Sequence, residues 1–161
     1  MRLNTMYALR GLPSSGKTTL AKHLTPCVVA ADDYFYENGE IGVYDFDPSK
    51  LGEAHAQCQQ RAEAFMEDGV SHFFAVTNTF TCRWELEPYL KMASKHGWQV
   101  VVIDLFDGGL TDEELAARGT HGVPAEGIRR MRERYEHCWR TGDPLHPMDR
   151  GRGAARRRSQ G

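Results

Sequence analysis

Gly11-Leu12-Pro13-Ser14-Ser15-Gly16-Lys17-Thr18 is the stretch that decides this chain. It fills every fixed position of the pattern GxxxxGK[ST]. It also stands where that pattern has meaning, between an apolar run from Met6 to Arg10 and a helical segment from Thr19 to Leu24. Glycines let such a loop curl until its N–H groups point inward, and the following helix adds the positive end of its dipole. A chain of phosphates is the natural occupant. Lys17 can reach the β- and γ-phosphates, and the Thr18 hydroxyl can ligate magnesium. Gly11, Pro13, Ser14, Ser15, Gly16, Lys17, Thr18 and Thr19 are therefore the expected nucleotide-binding residues. ATP and Mg2+ are the expected cofactors, with Thr18 on the metal.

Working outward, Cys27 to Ala31 reads as a second buried strand, and Tyr34 to Asp47 as a loop rich in aromatics and glycine. Asp47-Pro48 has the form of an N-cap followed by proline at the first helical position. Leu51, Ala54, Cys58, Ala62, Phe65 and Met66 recur at helical spacing, so residues 48–67 form an amphipathic helix ended by Gly69. Ser71 to Thr77 is a strand, Arg83 to His96 a helix stopped by Gly97, and Trp98 to Phe106 a strand. Thr111-Asp112-Glu113-Glu114 is a capping box opening a short helix. A last helix runs from Val123-Pro124 to about Arg140. Strands alternating with helices behind a Gly-rich turn argue for an α/β fold, a parallel sheet covered by helices on both faces.

A length of 161 residues corresponds to one domain at ~150 residues each. We place it at residues 1–148, with a basic, disordered tail at 149–161. No apolar run is long enough to cross a bilayer, and the first residues do not read as a signal peptide. Cys27, Cys58, Cys82 and Cys138 lie far apart, as expected of buried, reduced thiols in a cytoplasmic protein. The net charge of −2 conceals an asymmetry: residues 129–161 hold ten arginines against four acids, +6, which leaves −8 for the rest. A basic segment on an acidic body suggests a polyanionic partner, against the plainer reading of a solvated helix face and a loose terminus.

Ligands of a parallel sheet gather at the carboxyl ends of its strands. Asp32-Asp33 follow the second strand at once. Asp32 is placed to take a proton from an attacking hydroxyl, whereas Asp33 suits a cap or a supporting position. The third strand ends in Thr77-Asn78-Thr79-Phe80-Thr81, without the aspartate that often holds magnesium through water there. Asp104 ends an apolar run one strand later and reads as structural. Arg118, in the turn-rich link Arg118-Gly119-Thr120-His121-Gly122-Val123-Pro124, can neutralise charge during phosphoryl transfer.

Together, the GLPSSGKTT loop, the Asp-Asp-Tyr, the Thr-Asn-Thr and the RGTHGVP turn resemble the polynucleotide-kinase branch of the P-loop kinases, over residues 6–136. The resemblance implies a P-loop kinase fold and transfer of the γ-phosphate of Mg–ATP to a nucleic-acid hydroxyl. It puts the activating aspartate on Asp32, the lid arginine on Arg118, and phosphate and magnesium contacts on Lys17 and Thr18. Two departures stand out: Phe35 replaces an arginine that grips the substrate phosphate, and Asn78-Thr79-Phe80 replaces Asp-Thr-Asn.

The motifs ADDYF, FDP, TNTFT and HGVP are similar to those of small phage kinases that phosphorylate 5-hydroxymethyluracil in DNA. That likeness makes DNA the expected partner and the hydroxymethyl group the favoured acceptor. An extracted base needs stacking and edge contacts. Asp33, Tyr34, Phe35, Tyr44, Asn78, Phe80 and Arg83 are the expected substrate-binding residues, with Phe46 and Trp84 nearby. About half of the aromatics would be packing. The alternatives are a 5′-hydroxyl polynucleotide kinase, a small-molecule kinase, and a nucleotide-switched adaptor without catalysis.

Overall fold

A computed structural model of the chain describes residues 2–37 and 43–139. Four strands form one parallel sheet: β1 (Thr5–Gly11), β2 (Val28–Val29), β3 (Phe73–Thr77) and β4 (Gln99–Phe106). Their order is β2-β3-β1-β4, so β1, the strand that delivers the Gly-rich loop, is central. Six helices accompany it: α1 (Lys17–Leu24), α2 (Asp33–Glu37), α3 (Leu51–Asp68), α4 (Arg83–His96), α5 (Asp112–Arg118) and α6 (Ala125–Arg134).

Strand alternation divides the core. Met6, Ala8, Phe74, Val76 and Val29 face Ala54, Cys58, Ala62 and Met66 of α3 and Leu86, Tyr89 and Ala93 of α4. Leu9 and Ala75 face the other way, onto Ala21 and Leu20 of α1. A third cluster, Leu12, Leu115, Ile128 and Tyr135, packs α5 and α6 beyond the strand ends. The sheet is thus covered on both faces, as the alternation of elements requires.

Local signals hold well. The Asp47 carboxylate caps a 3-10 turn at Pro48–Lys50 that leads into α3. Gly69 and Gly97 end α3 and α4 in the left-handed conformation. Thr111 and Glu114 close the expected capping box of α5.

Four details differ from the sequence reading. β2 is two residues long, because the next two N–H groups leave the ladder: Ala30 N donates to the Asp33 carboxylate, and Ala31 N to Asn78 Oδ1. The segment after it begins as the helical turn α2 rather than as loop. The last helix stops at Arg134, because Tyr135 turns extended and Glu136 N donates to the Thr81 carbonyl. All four cysteines are free, yet only Cys58 and Cys82 are buried; Cys27 is half-buried and Cys138 exposed. No helix of the described residues is long and apolar enough to cross a membrane. The expected tail at 149–161 lies outside the described residues.

Candidate active site

The loop between β1 and α1 is held from outside. Gly11 N donates to Thr79 O, Leu12 N to Phe106 O, and Ser15 N to Leu12 O. Gly16, at φ 102, is the N-cap of α1 and brings no side chain to it. The first N–H groups of the helix are therefore left for a ligand. Gly11 is a position of close approach, since a Cβ there would lie 2.5 Å from Ser15 Oγ. That hydroxyl is buried without a hydrogen-bond partner among the described residues. An uncapped helix start, an orphaned hydroxyl and a lysine fit a nucleotide's phosphates.

Lys17 Nζ donates to the carbonyls of Gly11 and Leu12, at 2.8 Å each. Burial lowers its pKa to about 8, against the opposing pull of the Asp32 carboxylate. Asp32 sits where β2 gives way to α2. Its Oδ1 accepts the Tyr44 hydroxyl at 2.9 Å, and its Oδ2 lies 3.4 Å from His121 Nδ1. Burial, then the Asp32 charge, raises the Tyr44 pKa, so the phenol stays a donor. His121 stacks on Tyr44 with centroids 4.1 Å apart and planes at 15°.

Arg118 is the exposed last residue of α5. The next residue, Gly119, is packed so closely that a Cβ would lie 3.3 Å from Ser14 Oγ. The α5–α6 connection therefore borders the Gly-rich loop at one end and Asp32 at the other. Asp104 is structural, as expected: it takes Arg10 at 3.1 Å, the Tyr135 hydroxyl at 2.6 Å and Phe106 N at 2.9 Å.

Residues 6–138 match the model of the family described as AAA domain. The chain is an AAA-domain protein of that family. Human NEDD4-binding protein 2 is 40% identical to it over 137 residues, 81% of this chain. The 2′,3′-cyclic-nucleotide 3′-phosphodiesterase of Pongo abelii is 31% identical over 108 residues, 62% of the chain. The chain spans only 8% and 24% of the lengths of these relatives. Among solved structures, a protein of Chloroflexus aurantiacus J-10-fl described as a kinase aligns with TM-score 0.55 at 17% identity, over 73% of this chain and 66% of its own. A gluconokinase of Sinorhizobium meliloti 1021 aligns with TM-score 0.51 at 13% identity, over 85% and 78%. At such identities the likeness is one of fold, and that fold is kinase-like.

The AAA domain puts several expected substrate residues to other use. Phe35, 2% exposed, lies in the core against Tyr34, Tyr44 and Phe46. Phe80, 3% exposed, meets Tyr89 edge-on. Neither ring offers a face to a base. Asn78 is buried and spends its amide on Ala31 N, Tyr89 and Cys58. Asp33, also among the expected substrate residues, receives Ala30 N and Arg61. Tyr34 donates to Glu53 on the surface, and Arg83 is the half-buried first residue of α4. Tyr44 is the expected residue that reaches Asp32. Tyr36, outside the expected set, hydrogen-bonds with His121 Nε2 at 2.9 Å; its spacing of four from Asp32 is the signal the sequence carries for it.

Proposed function

We propose that this AAA domain is an ATP-dependent kinase that phosphorylates an alcohol hydroxyl on a nucleic acid. The observation that carries the reading is Asp32, a carboxylate that accepts the Tyr44 hydroxyl, lies 3.4 Å from His121 Nδ1 and acts electrostatically on Lys17 of the Gly-rich loop. A fold of this kind needs little more for phosphoryl transfer than a positioned base and positive charge around the phosphates.

Asp32 accepts the proton of the acceptor hydroxyl as its oxygen forms a bond to the γ-phosphorus. The bond from that phosphorus to the β–γ bridging oxygen breaks, and ADP is the leaving group. Lys17 turns from its two carbonyls to the phosphates, while Ser15 Oγ and the first N–H groups of α1 hold them. Arg118 approaches from the α5–α6 connection to share the developing charge. The Thr18 hydroxyl would help to hold magnesium, which would neutralise charge developing on the leaving diphosphate.

Support for a nucleic-acid acceptor comes from the motif resemblance and from a relative named for a cyclic-nucleotide substrate. The aromatic side chains here agree with it: Tyr44, beside Asp32, and the half-exposed Phe46 lie nearly parallel. The finer form, the hydroxymethyl group of 5-hydroxymethyluracil in DNA, rests on the resemblance alone.

A transfer assay with γ-labelled ATP separates the readings. It compares duplex DNA containing 5-hydroxymethyluracil, the same duplex with thymine, and a 5′-hydroxyl oligonucleotide. Label on the first alone selects the base-directed kinase, and label at 5′ ends selects a polynucleotide kinase. No label on any of them, with ATP bound, overturns the nucleic-acid acceptor and leaves a small molecule or a nucleotide-switched adaptor.

A further inference from the structure

The connection between α5 and α6 reaches Asp32 through His121. Its Nδ1 lies 3.4 Å from Asp32 Oδ2 and its Nε2 lies 2.9 Å from the Tyr36 hydroxyl, with the ring stacked on Tyr44. Three sequence-distant segments meet at this ring: the end of β2 with α2, the approach to α3, and the connection that begins beside Arg118. Asp32, Tyr36 and Tyr44 are titratable groups in contact with it, and the Asp32 charge is felt by Lys17.

We infer that His121 is a positioning residue for Asp32, with its proton on Nδ1. The inference rests on the reading of Asp32 as the base. A nitrogen lone pair turned toward a carboxylate oxygen would be repelled, so the nitrogen facing Asp32 carries hydrogen. Nε2 of the neutral ring is then the acceptor, and Tyr36, which can donate, supplies its hydroxyl proton. The resulting chain runs from Tyr36 to His121 to Asp32 Oδ2, while Tyr44 serves Oδ1.

Each carboxylate oxygen has two lone pairs, so both remain open to an acceptor proton after these contacts are made. The Tyr44 hydrogen bond and the longer His121 contact, at 3.4 Å, together restrict the plane of the carboxylate. The His121 contact also ties the α5–α6 connection, which begins just after Arg118, to the end of β2. This is the orienting third group of a catalytic triad in another setting, with the aspartate as base and the histidine as its holder.

The test has two readouts. In nitrogen-15 NMR of the imidazole, the wild type shows the Nδ1–H form, and Asp32→Ala shifts the ring to Nε2–H. In steady-state kinetics with the acceptor found above, His121→Phe keeps the stack on Tyr44 but has no donor. It lowers kcat by ~10²-fold with the KM for ATP unchanged, the scale of a reacting group misplaced by an ångström. His121→Asn puts an amide N–H near the place of Nδ1 and restores most of the rate, whereas His121→Gln does not. An Nε2–H ring in the wild type, an undiminished kcat in His121→Phe, or equal rates for His121→Asn and His121→Phe would each overturn the inference. If the wild type transfers phosphate to no acceptor, the kinase reading fails by itself; the NMR result still decides whether His121 donates to Asp32.

Discussion

Asp32 and Lys17 carry opposite charges across the site and differ in how water reaches them. Asp32→Asn keeps the shape of the side chain and removes its basicity. Turnover should fall by ~10²–10⁴-fold with ATP binding retained, the usual range for a positioned acid or base. An unchanged rate would take Asp32 out of the chemistry. Lys17 should show itself in pH dependence, because burial brings its pKa down to about 8. Below that value the ammonium is intact; above it the free protein loses the charge and binds phosphates less well. Calorimetry should find ATP affinity falling as pH rises through about 8, with protons taken up on binding there. The GxxxxGK[ST] pattern made Lys17 legible, and a place directly after the second strand made Asp32 so. Phe35 and Phe80 were not, because an aromatic in a short run reads the same whether it packs inward or faces a base. Only burial, 2% and 3% exposed, separates the two.

Short elements here depend on side chains that satisfy backbone groups. The capping box of α5 was visible in Thr111 and Glu114, and the helix it starts ends at Arg118. Thr111→Ala should cost about 1 kcal/mol. Its local sign would be faster amide exchange in α5 than in α3, which has its own core contacts. The end of β2 was less legible. Its ladder stops at Val29 because Asn78, from the far end of β3, takes Ala31 N. Asn78→Ala should lower stability by about 1–3 kcal/mol, read from urea unfolding, through a buried N–H left without an acceptor. Such a contact links positions 47 residues apart, and local sequence patterns carry no record of it.

Across the whole molecule, the parallel sheet could be read from the alternation of elements, whereas the order β2-β3-β1-β4 could not. Nor could the role of Arg10. At the end of β1, 2% exposed, it donates to the carbonyls of Phe80 and Thr81 and pairs with Asp104. Its guanidinium lies 4.1 Å from the Tyr135 ring centroid and 3.8 Å from that of Trp139. Arg10→Met should cost roughly 2–4 kcal/mol in chemical denaturation; Asp104, 37% exposed, is partly compensated by water. A loss below that range would mean the aromatic covers, rather than the polar contacts, hold the segment. The two covers lie past α6, in residues 135–139, where no helix remains. Anyone trimming the gene at the last helical codon would thus expose a cation seated one residue before the Gly-rich loop. The damage would surface as weakened nucleotide binding, far along the chain from the cut.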